Sequence, residues 1–376
     1  MNSPVRVLVV DDSAFMRYTI SKHLETDANI TVVGSARDGL DALEKISSLK
    51  PDVITLDVEM PRMDGLAALQ RIMAEHPTPV IMLSSLTKRG ERTTIQALMR
   101  GAVDFVPKPT ASADIRTVVD SLIEKILAAA KSGVPELPSE AAPAEPAPKT
   151  STSAVAPKTA KPRFQRAQKI TAKPAPEKVA LRPFKVGDPL IIIGASTGGP
   201  RALQKVLAAL PGDLPAAIAI VQHMPPGFTR SLAQRLNETS GLTVQEAADG
   251  DRLARGLALL APGNFHLRFK EGKQVTLDQG ERRQHVRPSV DVTMESAAQY
   301  FKSAVIGVIL TGMGADGAEG AGAIKTAGGK IISEDETTCV VYGMPRSVAE
   351  AGLSDRVVPL TDVAATVVEM VNNGRK

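Results

Sequence analysis

Tryptophan is absent from the 376 residues, and tyrosine occurs only three times. No aromatic platform is therefore available on which single-stranded bases could stack. The lone cysteine, Cys339, cannot close an intrachain disulfide, which suits a reducing compartment. Long apolar runs are missing as well. The first one, Val7 to Val10, stops at Asp11-Asp12, too short for a signal peptide, and no stretch approaches the ~18 apolar residues of a membrane span. A cytoplasmic protein with no direct membrane insertion is expected.

Strong charge of either sign is missing from both ends of the chain. Residues 1–130 hold 15 Lys/Arg against 17 Asp/Glu, and residues 187–376 hold 19 against 20. Neither segment has the basic face of a nucleic-acid binder, so no nucleic-acid partner is expected. The excess sits between them, where residues 131–186 carry 11 Lys/Arg against four Asp/Glu, with 10 of the 27 prolines and 11 alanines. That composition without apolar periodicity reads as a disordered linker. The chain thus divides into two domains of ordinary size.

Residues 1–130 alternate short apolar runs with amphipathic stretches. Val5–Val10, Ile30–Gly34, Val53–Asp57, Val80–Ser84 and Val103–Val106 read as five buried strands. Five βα units imply a doubly wound parallel sheet with its site at the strand C-termini. Asp11, Asp12, Asp57, Ser84 and Lys108 all fall there. Any one of these aspartates could simply cap a helix. Three together repel unless a cation lies between them, and hard oxygen ligands at an open site suit Mg²⁺. A carboxylate is also a nucleophile toward phosphoryl groups. Lys108 and Ser84 would then neutralise and hydrogen-bond the phosphate.

These residues, with Met60-Pro61-Arg62-Met63-Asp64-Gly65 and Asp104-Phe105-Val106-Pro107-Lys108-Pro109, make the segment resemble a two-component response-regulator receiver. The resemblance implies that Asp57 is the phosphoacceptor, that Asp11 and Asp12 help hold Mg²⁺ with it, and that Ser84 and Lys108 read out the phosphate. Phe105 stands at that family's aromatic switch position and is equally readable as a packed core residue.

Residues 187–376 alternate again, with strand-like runs at Leu190–Gly194, Ala217–Val221, Ala304–Leu310 and Lys330–Ser333. A second doubly wound, Rossmann-like α/β domain follows. Its first strand enters Gly194-Ala-Ser-Thr-Gly-Gly-Pro200. A dinucleotide fingerprint requires glycine where Ser196 stands, and a phosphate-binding loop requires Lys where Pro200 stands. A nucleophile turn, Gly-x-Ser-x-Gly, fits, although a serine here, like Asp316, could equally be a helix cap. Serine needs a base, usually His held by a carboxylate. Of five histidines, His23 and His76 lie in the first domain, and His266 and His285 read as solvated. His223 ends the second strand, and Asp316 follows the third in Thr311-Gly-Met-Gly-Ala-Asp-Gly317. The order Ser, His, Asp differs from that of α/β-hydrolases, where the acid precedes the histidine. Cys339 reads as a buried strand residue, and no zinc-type spacing is present.

With Gln222-His-Met-Pro-Pro-Gly227 and Arg287-Pro-Ser-Val-Asp291 added, this domain resembles the methylesterases of bacterial chemoreceptor adaptation. The resemblance implies a Ser196–His223–Asp316 triad acting on glutamate methyl esters, and on glutamines by deamidation. The backbone amides of Thr197 and Met313 are the expected oxyanion donors. It further implies chemoreceptor substrates, a chemotaxis histidine kinase as phosphodonor, and an unphosphorylated receiver that covers the hydrolase site. No cofactor for hydrolysis and a monomeric chain are expected. The rival is a non-enzymatic module, a DNA-binding regulator or a phosphate sink, which leaves the three hydrolase-domain loops unexplained.

Overall fold

In the computed structural model, which describes residues 3–108, 115–132, 178–271 and 273–373, the alternating runs become two parallel sheets. The first holds β1 (Val5–Val10), β2 (Ile30–Ala36), β3 (Val53–Asp57), β4 (Val80–Ser84) and β5 (Asp104–Pro107), in the order β2-β1-β3-β4-β5. Five helices cover it: α1 (Ala14–Leu24), α2 (Gly39–Leu49), α3 (Gly65–Glu75), α4 (Lys88–Met99) and α5 (Ile115–Ser132). The period-two alternation of β1 splits its side chains between the faces. Val7 and Val9 pack with Ile20, Leu24, Leu122 and Ile126, whereas Leu8 and Val10 join the cluster of Leu43, Ile46, Leu69 and Ile72. Side chains start the first four helices: Ser13, Asp38, Asp64 and Thr87 each accept a first-turn amide, the usual solution for orphan N–H groups.

The second sheet has seven parallel strands. In chain order these are β6 (Leu190–Ala195), β7 (Ala217–Gln222), β8 (Thr243–Glu246), β9 (Leu257–Leu260), β12 (Val305–Ile309), β13 (Lys330–Glu334) and β14 (Arg356–Val358). A hairpin of β10 (His266–Lys270) and β11 (Gln274–Asp278) stands apart from it. The sheet order is β14-β13-β12-β6-β7-β9-β8. Helices α6 (Gly199–Ala209), α7 (Phe228–Thr239), α8 (Val290–Phe301), α9 (Ala318–Thr326), α10 (Met344–Glu350) and α11 (Leu360–Asn373) connect and cover the strands. The strand order reverses at β6, between β7 and β12. A doubly wound sheet opens its ligand crevice at such a switch. The helices that leave these three strands, α6, α7 and α9, begin on Gly198, Gly227 and Gly317, all at positive φ and none with a side-chain cap.

Three expectations need correction. His266 is fully buried rather than solvated, because it sits in β10 with Nε2 2.9 Å from the Glu281 carbonyl. Cys339 is half-buried and not in a strand, because the chain after β13 turns through a short 3-10 helix at Glu336–Thr338 that Asp335 caps. Residues 178–186, read as the end of the linker, pack on the second domain. Lys178 donates to the Asn237, Ser240 and Leu242 carbonyls, and Phe184 is buried beside Phe301. Lys131 and Ser132, read as the start of the linker, close α5, and the rest of the linker reading, over 133–177, lies outside the described residues.

The two sheets meet through α4, which lies against α6 and α7. Phe105, a receiver core residue, stacks at 4.4 Å between ring centroids on Phe228, the first residue of α7. One apolar cluster consequently runs from Leu8 and Ile72 through Phe105 to Leu203 and Leu232. Truncating Phe228, which has no exposed surface, removes packing on both sides of that junction. Phe228→Ala should lower stability by about 3–5 kcal/mol, read as a lower midpoint in urea unfolding.

Candidate functional site

Two sites lie at the strand C-termini, one in each sheet. In the first, Asp57 ends β3 and Asp11 follows β1, both buried, while Asp12 is exposed. One oxygen from each of the three lies within 4.8 Å of the others. The Lys108 ammonium is 2.8 Å from both Asp11 Oδ2 and Asp57 Oδ2. Burial pushes the Asp57 carboxyl up to about 6, even with that ammonium opposing the shift. Burial alone would lower Lys108, but the two carboxylates hold it above its ordinary value. Two buried acids and one exposed one, all hard oxygen donors at an open edge, fit Mg²⁺. Ser84 points its Oγ at the Thr94 hydroxyl of α4, 2.7 Å away. Lys108 is therefore on Asp57, whereas Ser84, at the end of the neighbouring strand, is tied to the helix that meets the second domain.

In the second sheet, β6 and β7 pair in register from Leu190↔Ala217 to Ala195↔Gln222, so Ser196 and His223 leave adjacent strands side by side. His223 N donates to the Ala195 carbonyl at 3.1 Å. The Gln222 side-chain amide donates to the carbonyls of both Ser196 (2.9 Å) and His223 (3.2 Å). Gln222 stands in a sequence motif but with no role of its own assigned there, because that role depends on strand pairing. His223 Nε2 is 2.7 Å from Asp316 Oδ2. Asp316 follows β12 on the other side of β6, and its side chain is only 3% exposed. Its remaining valences are filled by Ser289 Oγ (2.8 Å) and by the Val290 and Asp291 amides at the start of α8 (2.7 and 3.0 Å). Burial would raise this carboxyl, but the imidazole and the helix amides hold it well below the usual range. Its charge therefore stabilises the fold above the ordinary value of 3.8, and that contribution is lost only under strong acid.

The Ser196 hydroxyl makes no hydrogen bond to His223 among the described residues; the two are brought together by the backbone ladder. Nor do the Thr197 and Met313 amides donate to any protein acceptor among those residues. The Gly312 backbone passes so close to the serine that a Cβ there would lie 2.7 Å from Ser196 Cβ. Thr311 binds both loops, accepting from Ser196 N (3.0 Å) and donating its hydroxyl to the Thr197 carbonyl (3.0 Å). The two free amides thus border the serine from opposite loops.

The receiver reaches this same turn. Thr197 Oγ1 donates to Asp104 Oδ2 at 2.5 Å, and Lys125 pairs with that carboxylate at 2.7 Å. Val340 packs on the receiver core and crowds Gly198.

Sequence comparison agrees with both halves. The chain matches the CheB methylesterase family over residues 191–367 and the response regulator receiver domain over residues 7–120. A protein-glutamate methylesterase/protein-glutamine glutaminase of Symbiobacterium thermophilum is 48% identical over 373 residues, 99% of this chain and 98% of the relative. The chain belongs to that family. A Thermotoga maritima protein of the same name is 45% identical, with 98% of each chain covered. The crystal structure of the Thermotoga maritima CheB methylesterase catalytic domain is 49% identical over 48% of this chain and 98% of its own, with a TM-score of 0.48. For a methylesterase/glutaminase, the Ser196 turn and the Asp57 pocket become the two sites to be explained. A methyl group at position 312 tests the tight approach. Gly312→Ala should lower kcat by about 10²-fold through displacement of Ser196, measured as methanol release, with the circular dichroism spectrum retained.

Proposed function

We propose that Ser196, His223 and Asp316 hydrolyse glutamate methyl esters, and glutamine amides, on chemoreceptors. The observation that carries this reading is the 2.7 Å contact between His223 and Asp316 beside a strand-end serine. Ser196 Oγ attacks the ester carbonyl, and His223 takes its proton. Nε2 faces Asp316, so Nδ1 is the nitrogen that serves the serine. Asp316 fixes that tautomer and steadies the imidazolium. The Thr197 and Met313 amides stabilise the oxyanion. His223 then protonates the departing methoxide, or the amine of a glutamine, and methanol or ammonia leaves. Water, deprotonated by His223, cleaves the acyl-serine and regenerates the hydroxyl. Each role is filled by a side chain or a backbone amide of one chain, so this step calls for no cofactor and no second subunit.

Asp57 is the phosphoacceptor in this reading, supplied by a chemotaxis histidine kinase. Asp11, Asp12 and Asp57 would hold Mg²⁺, which supplies charge neutralisation for the incoming phosphoryl group. Lys108 and Ser84 contact the phosphate; to donate there the Ser84 hydroxyl must give up the Ser85 carbonyl, while its oxygen can go on accepting from Thr94. In the resting chain Asp104 and Phe105 hold the receiver over the Ser196 turn, which supports inhibition by occlusion. The protein works in the cytoplasm in this reading. Among the described residues no helix is long and apolar enough to cross a membrane.

Ser196→Ala should abolish methanol release from methylated receptor fragments, by ~10⁴-fold or more on the precedent of other triads. Retained activity would overturn the serine-hydrolase reading. Asp104→Ala removes a charged hydrogen bond of ~1.5–3 kcal/mol and should raise basal activity about tenfold without phosphodonor. Asp57→Asn should instead leave activity low and unresponsive to a small phosphodonor. Unchanged basal activity in Asp104→Ala would show that this contact does not hold the receiver down.

A further inference from the structure

One buried acid in the second domain has no part in the chemistry derived above. Asp291, the second residue of α8, has no exposed surface. Its carboxylate touches no cation. Oδ1 accepts from Gly317 N and Gly320 N, both at 2.8 Å, and Oδ2 accepts from Gln284 Nε2 at 2.9 Å. A carboxylate buried against neutral donors alone is costly, and a simple cap for α9 would be met by a side chain of its own loop.

The geometry is reciprocal. Asp316 stands just before α9 and accepts the first amides of α8, while Asp291 stands at the start of α8 and accepts the first amides of α9. Each acid therefore sits on the positive end of the other's helix. The tie is direct, because Gly317 N belongs to the peptide bond that leaves Asp316. The Asp291 carboxylate fixes that peptide, and the Asp291 amide fixes Asp316 Oδ1 at 3.0 Å. We infer that Asp291 is a positioning residue for the triad: it clamps the Asp316–Gly317 peptide so that Asp316 Oδ2 stays on His223 Nε2. The inference rests on the triad proposed above. Without the clamp, the 313–317 loop is free to slide along α8, and Asp316 keeps its helix amides while losing its aim at the imidazole.

The test uses the full chain and the kinetics of methanol release from methylated receptor fragments. It also follows the downfield proton resonance of His223 Nε2–H, identified by its loss in Asp316→Asn. Asp291→Ala should lower kcat by about 10²-fold with KM within about twofold, as expected for a misaimed catalytic group. The downfield resonance should shift or vanish. Asp291→Asn keeps an oxygen for Gly317 and Gly320 and should recover most of the lost kcat together with the resonance. If the alanine variant does not fold, Asp291→Leu, which fills the volume but accepts no hydrogen bond, takes its place with the same expectations. A truncated variant with wild-type kcat overturns the inference. So does one whose kcat falls while the resonance is unmoved, because Asp291 would then act elsewhere. Full activity in Asp316→Asn would instead remove the triad itself, a failure distinguishable from that of the clamp.

Discussion

A carboxylate sealed from water keeps its charge only where donors converge on it, and Asp316 sets that requirement for the hydrolase half. Four donors answer it: the His223 imidazole, the Ser289 hydroxyl and two amides of α8. Supplying them fixes where α8 begins and how α9 leaves β12. It also fixes which imidazole nitrogen remains for the serine. The hairpin of β10 and β11 follows from the same demand, since it holds α8 in place through Thr293 to Leu267 and Ser296 to Phe269. In the proposed mechanism the base is thus aimed by a chain of contacts that begins well away from the ester.

The regulatory half uses the same small area. Thr197 contributes its amide to one rim of the serine and its hydroxyl to Asp104 of the receiver. Phe105 and Phe228 carry the contact into both cores. Ser84 faces Thr94 on α4, and α4 lies on α6 and α7, the helices that leave the serine and histidine strands. A movement of Ser84 toward a phosphoryl group is therefore transmitted through Thr94 to a helix that already touches the hydrolase. Coupling needs an element with two arrangements that both sites bias, and α4 has the contacts to be that element.

The parts legible in the sequence were those encoded locally. Strand-end motifs such as Gly194 to Pro200 and Thr311 to Gly317 carry their turns with them, and buried parallel strands announce themselves as runs of Val and Ile. Ser196, His223 and Asp316 could be named because each closes such a run. His266 was misread because a polar neighbourhood hid a single inward-facing position in a hairpin. Strands β8, β10, β11 and β14 were passed over because polar residues interrupt them, whereas β9, Leu257–Leu260, is an apolar run that was simply missed. Gln222, Asp104 and Asp291 act through partners 26 to 93 residues away, and no local pattern reports such pairings. Residues 178–186 shared the composition of the linker but found acceptors on the second domain.

The two halves also start their helices differently, which bears on how each tolerates change over generations. Receiver helices begin on Ser13, Asp38, Asp64 and Thr87, and losing one such cap costs only about 1 kcal/mol. Several polar residues can stand in for one another there, so sequence drift erodes the regulator in small steps. The three helices that leave the serine, histidine and aspartate strands, α6, α7 and α9, begin instead on glycines at positive φ, and only α8 beside them has a side-chain cap, Ser289. At Gly198 a Cβ would lie 2.6 Å from Val340 Cβ, and at Gly317 one would lie 2.7 Å from Ile309 Cδ1. No other side chain is interchangeable at such a position. Under the same mutational load, the switch would degrade gradually and the enzyme abruptly, so lineages can retune their response to phosphorylation far more freely than their chemistry.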